Sequence, residues 1–161
     1  MNKYKLIYIN REDKTYGVCT YTLKGLMAGD HKDNKYERDF VLWQLIDVLQ
    51  WTGLYDKTKW EELTEEERSR WTLDGNMPSE WRGKEIYNCD IVKDWDVGAL
   101  GKIGIGECEI KDGYYDSVDV RIGVYIIWHD GGVSLWRVYD GKKENTELVG
   151  DIYNIPEGWN K

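Results

Sequence analysis

The second half of the chain alternates strand-like segments with turn dipeptides, and this pattern constrains the fold more than any other feature. From Gly83 onward the segments are rich in β-branched and aromatic residues and include period-2 stretches such as 118–122. Asp-Gly and Gly-Gly dipeptides between them supply the residues of positive φ that tight hairpins need. The pattern predicts an antiparallel meander that forms a small bent sheet or an SH3-like barrel, with strands at 85–93, 102–111, 117–129, 133–139 and 147–154.

The first 35 residues predict a hairpin followed by a loop. Residues 4–10 alternate with the period of a strand, the polar cluster at 11–14 supplies a turn, and residues 15–23 form a return strand. One side of the first strand carries Tyr4, Leu6 and Tyr8, and the other carries Lys3, Lys5, Ile7 and Ile9. Gly, Asp and Asn in residues 24–35 are typical of a loop.

Residues 39–49 change to a helical period. Apolar residues spaced i, i+3, i+4 and i+7 form a stripe on one helical face: Leu42, Leu45, Ile46 and Leu49. This stripe predicts a helix over about 36–51, ended by Gly53. The run 40–49 is nearly continuous in apolar residues, and so it is also consistent with a buried strand leading into Thr52 and Gly53.

Residues 58–82 have the composition of a helical insertion rich in Trp and Glu. Thr58 with Glu61, and Thr64 with Glu67, match the capping-box spacing, which predicts two short helices in tandem. The insertion carries three large rings: Trp60, Trp71 and Trp81. An exposed apolar patch of that size is unusual on a monomer. We therefore expect the rings either to dock onto the main domain, which we favour, or to contact a partner.

The length of 161 residues fits one domain, 1–161, large enough to bury a core without disulfides or metal. The fold class expected is α+β, mainly antiparallel β. It has four parts: an opening β-hairpin and loop at 1–35, a helix and turn at 36–57, the helical insertion at 58–82, and the β meander or barrel at 83–161.

The charge balance argues against a nucleic-acid partner. Lys and Arg number 22 against 30 Asp and Glu, giving a net charge of -8, and such a protein repels a phosphate backbone. An acidic surface instead suits solubility, a basic protein partner, or imitation of nucleic acid.

The cysteines and the start of the chain indicate a cytoplasmic protein. The three cysteines are odd in number and widely spaced, as expected of small hydrophobes in a reducing compartment. No apolar signal region and no run of about 18 apolar residues is present, and so we expect no membrane association.

The aromatic residues are mostly of the kind that carries a polar group. The chain has 9 Trp and 12 Tyr but a single Phe. Two interpretations remain open. Trp and Tyr fill the core of a β-rich domain with their polar tips at the surface, or they line a recognition surface, since both are enriched at interfaces and stack on bases.

Motifs that would indicate catalysis are weak. The Gly-rich segment 98–106 contains Gly-Lys, but Ile103 stands where a phosphate loop needs Ser or Thr, and a strand is predicted to follow. Cys89 or Cys108 with His129 has no local signature of nucleophilic catalysis. We therefore expect no catalytic residues, no metal and no cofactor.

Two separated segments resemble the signature of the YopX family of small phage and prophage proteins. Gln-Trp-Thr-Gly-Leu-Tyr-Asp at 50–56 is similar to the family's Q-Y-T-G-L-K-D, and residues 83–92 are similar to its G-K-E-I-Y-E-G-D-I-V. Residues 148–157 are similar to its closing V-I-G-N-I-Y-E-N-P-E. Asn88 and Cys89 replace the usual Glu-Gly, which predicts a milder bend there. The insertion then separates two halves of one motif, which must lie side by side in the fold.

Within this motif we expect the acidic residues to be mainly structural. Asp56 can accept hydrogen bonds from the backbone of the following turn. Asp90 lies among apolar neighbours, and so it should be paired with backbone donors or with a Lys, since an unpaired buried carboxylate is costly. The alternative for Asp90 is a role in gripping a ligand.

The resemblance implies a phage-encoded accessory protein of the bacterial cytoplasm. By analogy with such proteins, we expect it to bind a host protein without catalysis, for example to inhibit a defence system. The alternative is a protein that sequesters a small nucleotide signal in an aromatic pocket, at the interface of a homo-oligomer. The candidate binding residues are Trp51, Asp56, Trp60, Trp71, Trp81 and Asp90.

Overall fold

The computed structural model describes residues 2–71, 77–78, 80–95, 98–112, 117–135 and 146–159. Within these ranges nine strands form two open antiparallel sheets. The strands are β1 (Lys3–Asn10), β2 (Tyr16–Thr22), β3 (Trp43–Tyr55), β4 (Glu85–Tyr87), β5 (Asp90–Asp94), β6 (Ala99–Asp112), β7 (Ser117–Trp128), β8 (Val133–Leu135) and β9 (Thr146–Asp151). The predicted α+β class, mainly antiparallel β, is confirmed. Both sheets are open, which corresponds to the bent sheet of the prediction and not to the SH3-like barrel.

The first sheet has the order β2-β1-β3-β4. Its β1–β2 hairpin is the one predicted, with Leu6 opposite Cys19 and Lys5 opposite Thr20. On the other side β1 pairs with β3, and Leu6 lies opposite Val48. Because successive side chains of a strand point to opposite faces, Lys3 and Lys5 lie on the face of β1 opposite to that of Leu6.

The second sheet has the order β8-β7-β6-β5-β9 and contains the predicted meander. The β7–β8 turn uses Gly131 at φ 93°, and the Gly132 N–H donates to the Asp130 carboxylate at 2.9 Å. The predicted turns at 113 and at 140–141, and the predicted strand beyond Leu135, lie outside the described residues.

The helices are short. They are α1 (Leu23–Ala28), α2 (Lys35–Arg38) and α3 (Glu65–Trp71), with single turns of 3-10 helix at Asp30–Asp33 and Trp60–Glu62. The segment from α1 to α2 packs on the Leu6 face of the first sheet, where the rings of Tyr8 and Tyr36 stack with centroids 4.9 Å apart. The prediction of a loop at 24–35 is therefore wrong in part, since the Thr22 hydroxyl caps α1 at Gly25 N–H.

The main core lies where the two sheets meet. Ile86 of β4 packs with Val92, Ile103 and Ile126 of the second sheet, and all four are at most 1% exposed. A neighbouring cluster joins Ile7, Leu49 and Tyr87 on the Lys5 side of the first sheet. Burial of these side chains contributes roughly 1.5–3 kcal/mol each to folding.

The helix predicted at about 36–51 is wrong, and the alternative of a strand is correct. Helix α2 ends at Arg38, and residues 43–55 form β3. The register of β3 against β1 shifts at Ile46, because Tyr8 lies opposite Leu45 and Ile7 opposite Asp47. Across this β-bulge Leu45 lies opposite Tyr8 and Leu49 opposite Lys5, and so two members of the predicted helical stripe lie on opposite faces of β3.

Two turn predictions in the motif also need correction. Gly53, at φ 83°, does not end a helix but lies where the register of β3 and β4 shifts. Cys89 adopts φ 68°, and so the bend between β4 and β5 is sharp and left-handed rather than mild. This bend carries the chain from the first sheet into the second, splitting the single strand predicted at 85–93.

The prediction that the two motif halves are adjacent is confirmed. Trp51, Leu54 and Tyr55 of β3 pair with Tyr87, Ile86 and Glu85 of β4. The insertion therefore leaves and rejoins the first sheet at neighbouring points. Across the described ranges, no helix has both the length and the apolar composition needed to cross a membrane.

Candidate functional site

The described part of the insertion packs around its own aromatic side chains and is tied to the main domain at Asp56 and Lys84. Trp60 is 7% exposed and Leu63 is 5% exposed. The rings of Trp60 and Trp81 meet edge to face with centroids 5.1 Å apart, and the Trp81 indole N–H donates to the Thr58 carbonyl at 2.9 Å. Edge-to-face pairs of this kind stabilise a fold beyond their buried area. Trp60 is therefore buried, and its ring contact with Trp81 lies within the insertion.

Capping boxes begin the helical segments of the insertion. The Thr64 hydroxyl accepts from Glu67 N–H at 3.1 Å, as predicted. The first box is displaced by one residue from the predicted pair, because Lys59 N–H donates to Glu62 at 3.0 Å while the Thr58 hydroxyl donates to Asp56. Glu67 also forms an ion pair with Lys84 at 3.0 Å, which ties α3 to the first sheet.

Asp56 anchors the start of the insertion. Its carboxylate is fully buried and accepts four hydrogen bonds of 2.7–2.9 Å, from the N–H groups of Thr58, Lys84 and Leu148 and from the Thr58 hydroxyl. The predicted bond to the following turn is thus one of four. Gly83 lies against this point with φ 117°, and a Cβ there would stand 2.1 Å from the Asp56 carbonyl oxygen. Asp56 therefore joins the insertion, β4 and β9.

A cleft of about 510 Å³ opens between the end of the insertion and the Lys5 side of the first sheet. We call this space the cleft. Its walls come from β1, β2, the last residue of β3, residues 78 and 80–83 of the insertion, and β4. The lining residues are Lys3, Lys5, Thr20, Tyr21, Thr22, Tyr55, Pro78, Glu80, Trp81, Arg82, Gly83, Glu85 and Tyr87.

Charged groups of both signs line the cleft. Lys3 forms an ion pair with Glu85, and Arg82 forms one with Glu80 at 3.4 Å. Lys5 is half-buried, and its Nζ lies 4.2 Å from the centroid of the Tyr87 ring, a cation–π contact. Among the described residues, no carboxylate lies within 4.0 Å of Lys5 Nζ. Lys5 is therefore the cation best placed to meet an incoming anion.

Tyr87 lies beneath Lys5 at the floor of the cleft, and Asp90 binds the Tyr87 backbone. Tyr87 is 1% exposed, and its hydroxyl donates to Glu85 at 2.9 Å; burial and the Glu85 charge raise the pKa of the phenol. Asp90 is equally buried and accepts from Tyr87 N–H at 2.7 Å. Burial raises the pKa of Asp90 to about 7, although the charge of Lys5 and the Tyr87 bond oppose the shift. The predicted backbone donor for Asp90 is confirmed.

The six candidate residues are thus dispersed rather than gathered. Trp81 lines the cleft, and Trp60 supports it from the buried side. Trp51 lies outside the cleft lining, with Lys3 Nζ 4.9 Å from its ring centroid. Asp56 and Asp90 are buried and do not line the cleft. Trp71 is the last residue of α3, and its side chain lies outside the described part of the molecule.

Lys3, Lys5, Tyr55 and Glu85 were not among the candidates. Alternation along β1 already placed both lysines on one side of the strand, which was a usable signal. Nothing local indicated that the end of the insertion would cover that side.

The weak catalytic motifs gain no support. Residues 99–112 of the Gly-rich segment form β6, where a phosphate loop would lead into a helix. Burial raises the pKa of the Cys89 thiol, whereas a nucleophilic cysteine needs a lowered pKa. Glu107 and Glu109 are both exposed on β6, as carboxylates on a solvated strand face are expected to be.

No family model, curated protein or solved structure matches the chain. The resemblance to the YopX family therefore stays a prediction from the motif residues.

Proposed function

We propose that the protein is a non-catalytic binding protein that sequesters a small nucleotide in the cleft. The observation that carries this proposal is the meeting of half-buried aromatic residues, Tyr55 and Trp81, with three cations, Lys3, Lys5 and Arg82, around one cavity of about 510 Å³. Small-molecule sites typically have volumes of about 300–1,000 Å³ and combine apolar walls with a few polar groups.

The chemistry of the cleft suits the two ends of a nucleotide. An indole or phenol ring can stack on a base, which typically contributes about 1–3 kcal/mol per base. Lys5 presents an ammonium group for a phosphate oxygen, and Thr20 and Thr22 add hydroxyl groups on the facing strand. Trp81 is held by its bond to Thr58 and its contact with Trp60, and so little ordering is required on binding.

A thermal-shift panel of cyclic and linear nucleotides tests this function. At about 100 times its Kd, a ligand of the cleft is expected to raise the unfolding midpoint by about 5–10 °C, since it binds only the folded state. Trp81→Leu is expected to weaken binding at least about tenfold, because it removes the stacking surface. Each variant is compared with its own ligand-free midpoint.

The matched control is Trp95→Leu. Trp95 is 52% exposed and lies outside the cleft, where its indole donates to Glu147. This variant is expected to bind as the parent does. No response to any nucleotide, or equal loss in both Trp variants, would contradict the proposal.

A second candidate function, binding of a host protein by a phage accessory protein, has its own structural support at a different surface. Trp60 is too buried to serve as a contact, but the turn before β3 and β3 itself expose a run of large apolar side chains: Phe40, Val41, Leu45, Ile46 and Val48. Phe40 and Val41 are 71% and 74% exposed. Runs of this kind are typical of protein interaction sites.

The double variant Phe40→Ser and Val41→Ser tests this second function. Recovery of a specific partner from bacterial lysate is expected to fall at least about tenfold, because large apolar side chains dominate interface energy. Ile122→Ser is the control, since Ile122 is 83% exposed on β7 and lies outside this run. Equal recovery with the double variant would exclude this surface as the contact.

A further inference from the structure

The ion pairs of the cleft limit how much negative charge it can accept. Lys3 is neutralised by Glu85, and Arg82 is paired with Glu80, where both side chains are largely exposed. Among the described lining residues, three cations and two carboxylates leave a net formal charge of +1. A ligand with several negative charges would therefore find two of these three cations already engaged by carboxylates.

Lys5 differs from the other two cations because an aromatic ring, and not a carboxylate, holds it. Tyr87 supports its ammonium group from below, and Tyr87 is itself immobilised by burial, by its hydroxyl bond to Glu85 and by its N–H bond to Asp90. A half-buried charge on a fixed platform is screened less by solvent than an exposed one. Lys5 therefore provides one strong, localised site for one anionic group.

The carboxylates around Lys5 do not neutralise its charge. Asp90 on β5 is a buried carboxylate that interacts with Lys5, and burial raises its pKa to about 7, so that about half of it is neutral near pH 7. Glu85 on β4 is occupied by Lys3 and by the Tyr87 hydroxyl. The positive charge of Lys5 thus remains directed at the cleft.

We infer that the cleft selects a phosphodiester, a nucleotide that carries a single negative charge such as a cyclic mononucleotide, over nucleoside mono- and triphosphates. This inference rests on the proposed function and narrows its ligand class. A phosphodiester needs one cation, which Lys5 supplies, whereas further phosphate charges meet Lys3 and Arg82, which Glu85 and Glu80 already engage. The same aromatic walls serve every nucleotide, and so the discrimination comes from charge.

The experiment uses the full chain and two series with constant bases: cyclic AMP, AMP and ATP, and cyclic GMP, GMP and GTP. Affinity is measured by calorimetry at one fixed ionic strength near pH 7. For whichever base the cleft binds, the cyclic nucleotide is expected to bind at least about tenfold more tightly than the triphosphate. The affinity of the monophosphate is expected to lie between these two.

Three variants identify the source of the selection. Lys5→Met retains the apolar stem and is expected to weaken binding of the cyclic nucleotide at least about tenfold, while Lys102→Met, on β6 outside the cleft, leaves it unchanged. Glu80→Gln removes an exposed carboxylate without disturbing the core and is expected to reduce the preference for the cyclic form severalfold.

The outcomes separate the inference from the function on which it rests. Preference for the cyclic form that depends on Lys5 supports both. Triphosphate binding as tight as cyclic binding, with loss in Trp81→Leu, overturns the charge selection and leaves nucleotide binding in place. Absence of binding in both series overturns both.

Discussion

Replacing Asp56 with alanine is expected to lower the free energy of unfolding by about 4 kcal/mol or more, because it leaves three buried N–H groups without acceptors at about 1–3 kcal/mol each. These groups belong to Thr58, Lys84 and Leu148, which lie in three separate parts of the chain. The variant should therefore loosen the insertion, β4 and β9 together. Denaturant unfolding at pH 7 measures the loss.

Two further variants show that the effect comes from the buried contacts. Asp56→Asn retains one acceptor oxygen but turns an NH₂ group toward donors, and so it should lose roughly half as much as the alanine variant. Asp13→Ala is the control, because Asp13 accepts hydrogen bonds from the N–H and hydroxyl of Thr15 as Asp56 does from Thr58, but at an exposed site. It should leave the unfolding midpoint nearly unchanged. An equal loss from Asp13→Ala would refute the role assigned to Asp56.

The stability of the protein is expected to fall as pH rises from about 4 to 7, because of Asp90. Burial raises the pKa of this carboxyl from 3.8 to about 7, and Lys5, Asp56 and Asp151 are the charged groups that act on it. Between these two values the folded state binds the proton more tightly than the unfolded state, which favours folding at the acidic end. The contribution is full below the unfolded pKa and lost as pH rises through about 7.

The variant Asp90→Asn isolates this effect from the other carboxylates. The asparagine oxygen can still accept from Tyr87 N–H, but the side chain no longer titrates. The stability of the variant relative to the parent is expected to increase by about 3 kcal/mol from pH 4.5 to pH 8, since one pKa unit corresponds to about 1.4 kcal/mol. Paired denaturation curves across this range measure it. A constant difference would mean that Asp90 is ionised throughout.

Local patterns were sufficient where neighbouring residues decide the structure. Period-2 stretches located β1, β2, β6 and β7, and the Asp130-Gly131 turn has the geometry that its residues require. Thr64 and Glu67 form the capping box that their spacing predicts.

Local patterns failed where a partner strand decides the structure. Leu42, Leu45, Ile46 and Leu49 have helical spacing, but pairing with β1 and a bulge at Ile46 place Leu45 and Leu49 on opposite faces of β3. Cys89 adopts a left-handed conformation that its residue type disfavours, because the chain must pass there from one sheet into the other.

The sequence by itself determined the mainly antiparallel class and most of the strands, because period and turn chemistry are local. The adjacency of residues 50–56 and 83–92 was predicted from the resemblance to a divided motif, and the pairing of β3 with β4 shows it. Only the tertiary structure decided that Trp81 and Arg82 would close over Lys3 and Lys5, and that Trp60 would be buried. The cleft joins residues more than 70 positions apart in the chain. Their meeting depends on packing between elements, which no local pattern specifies.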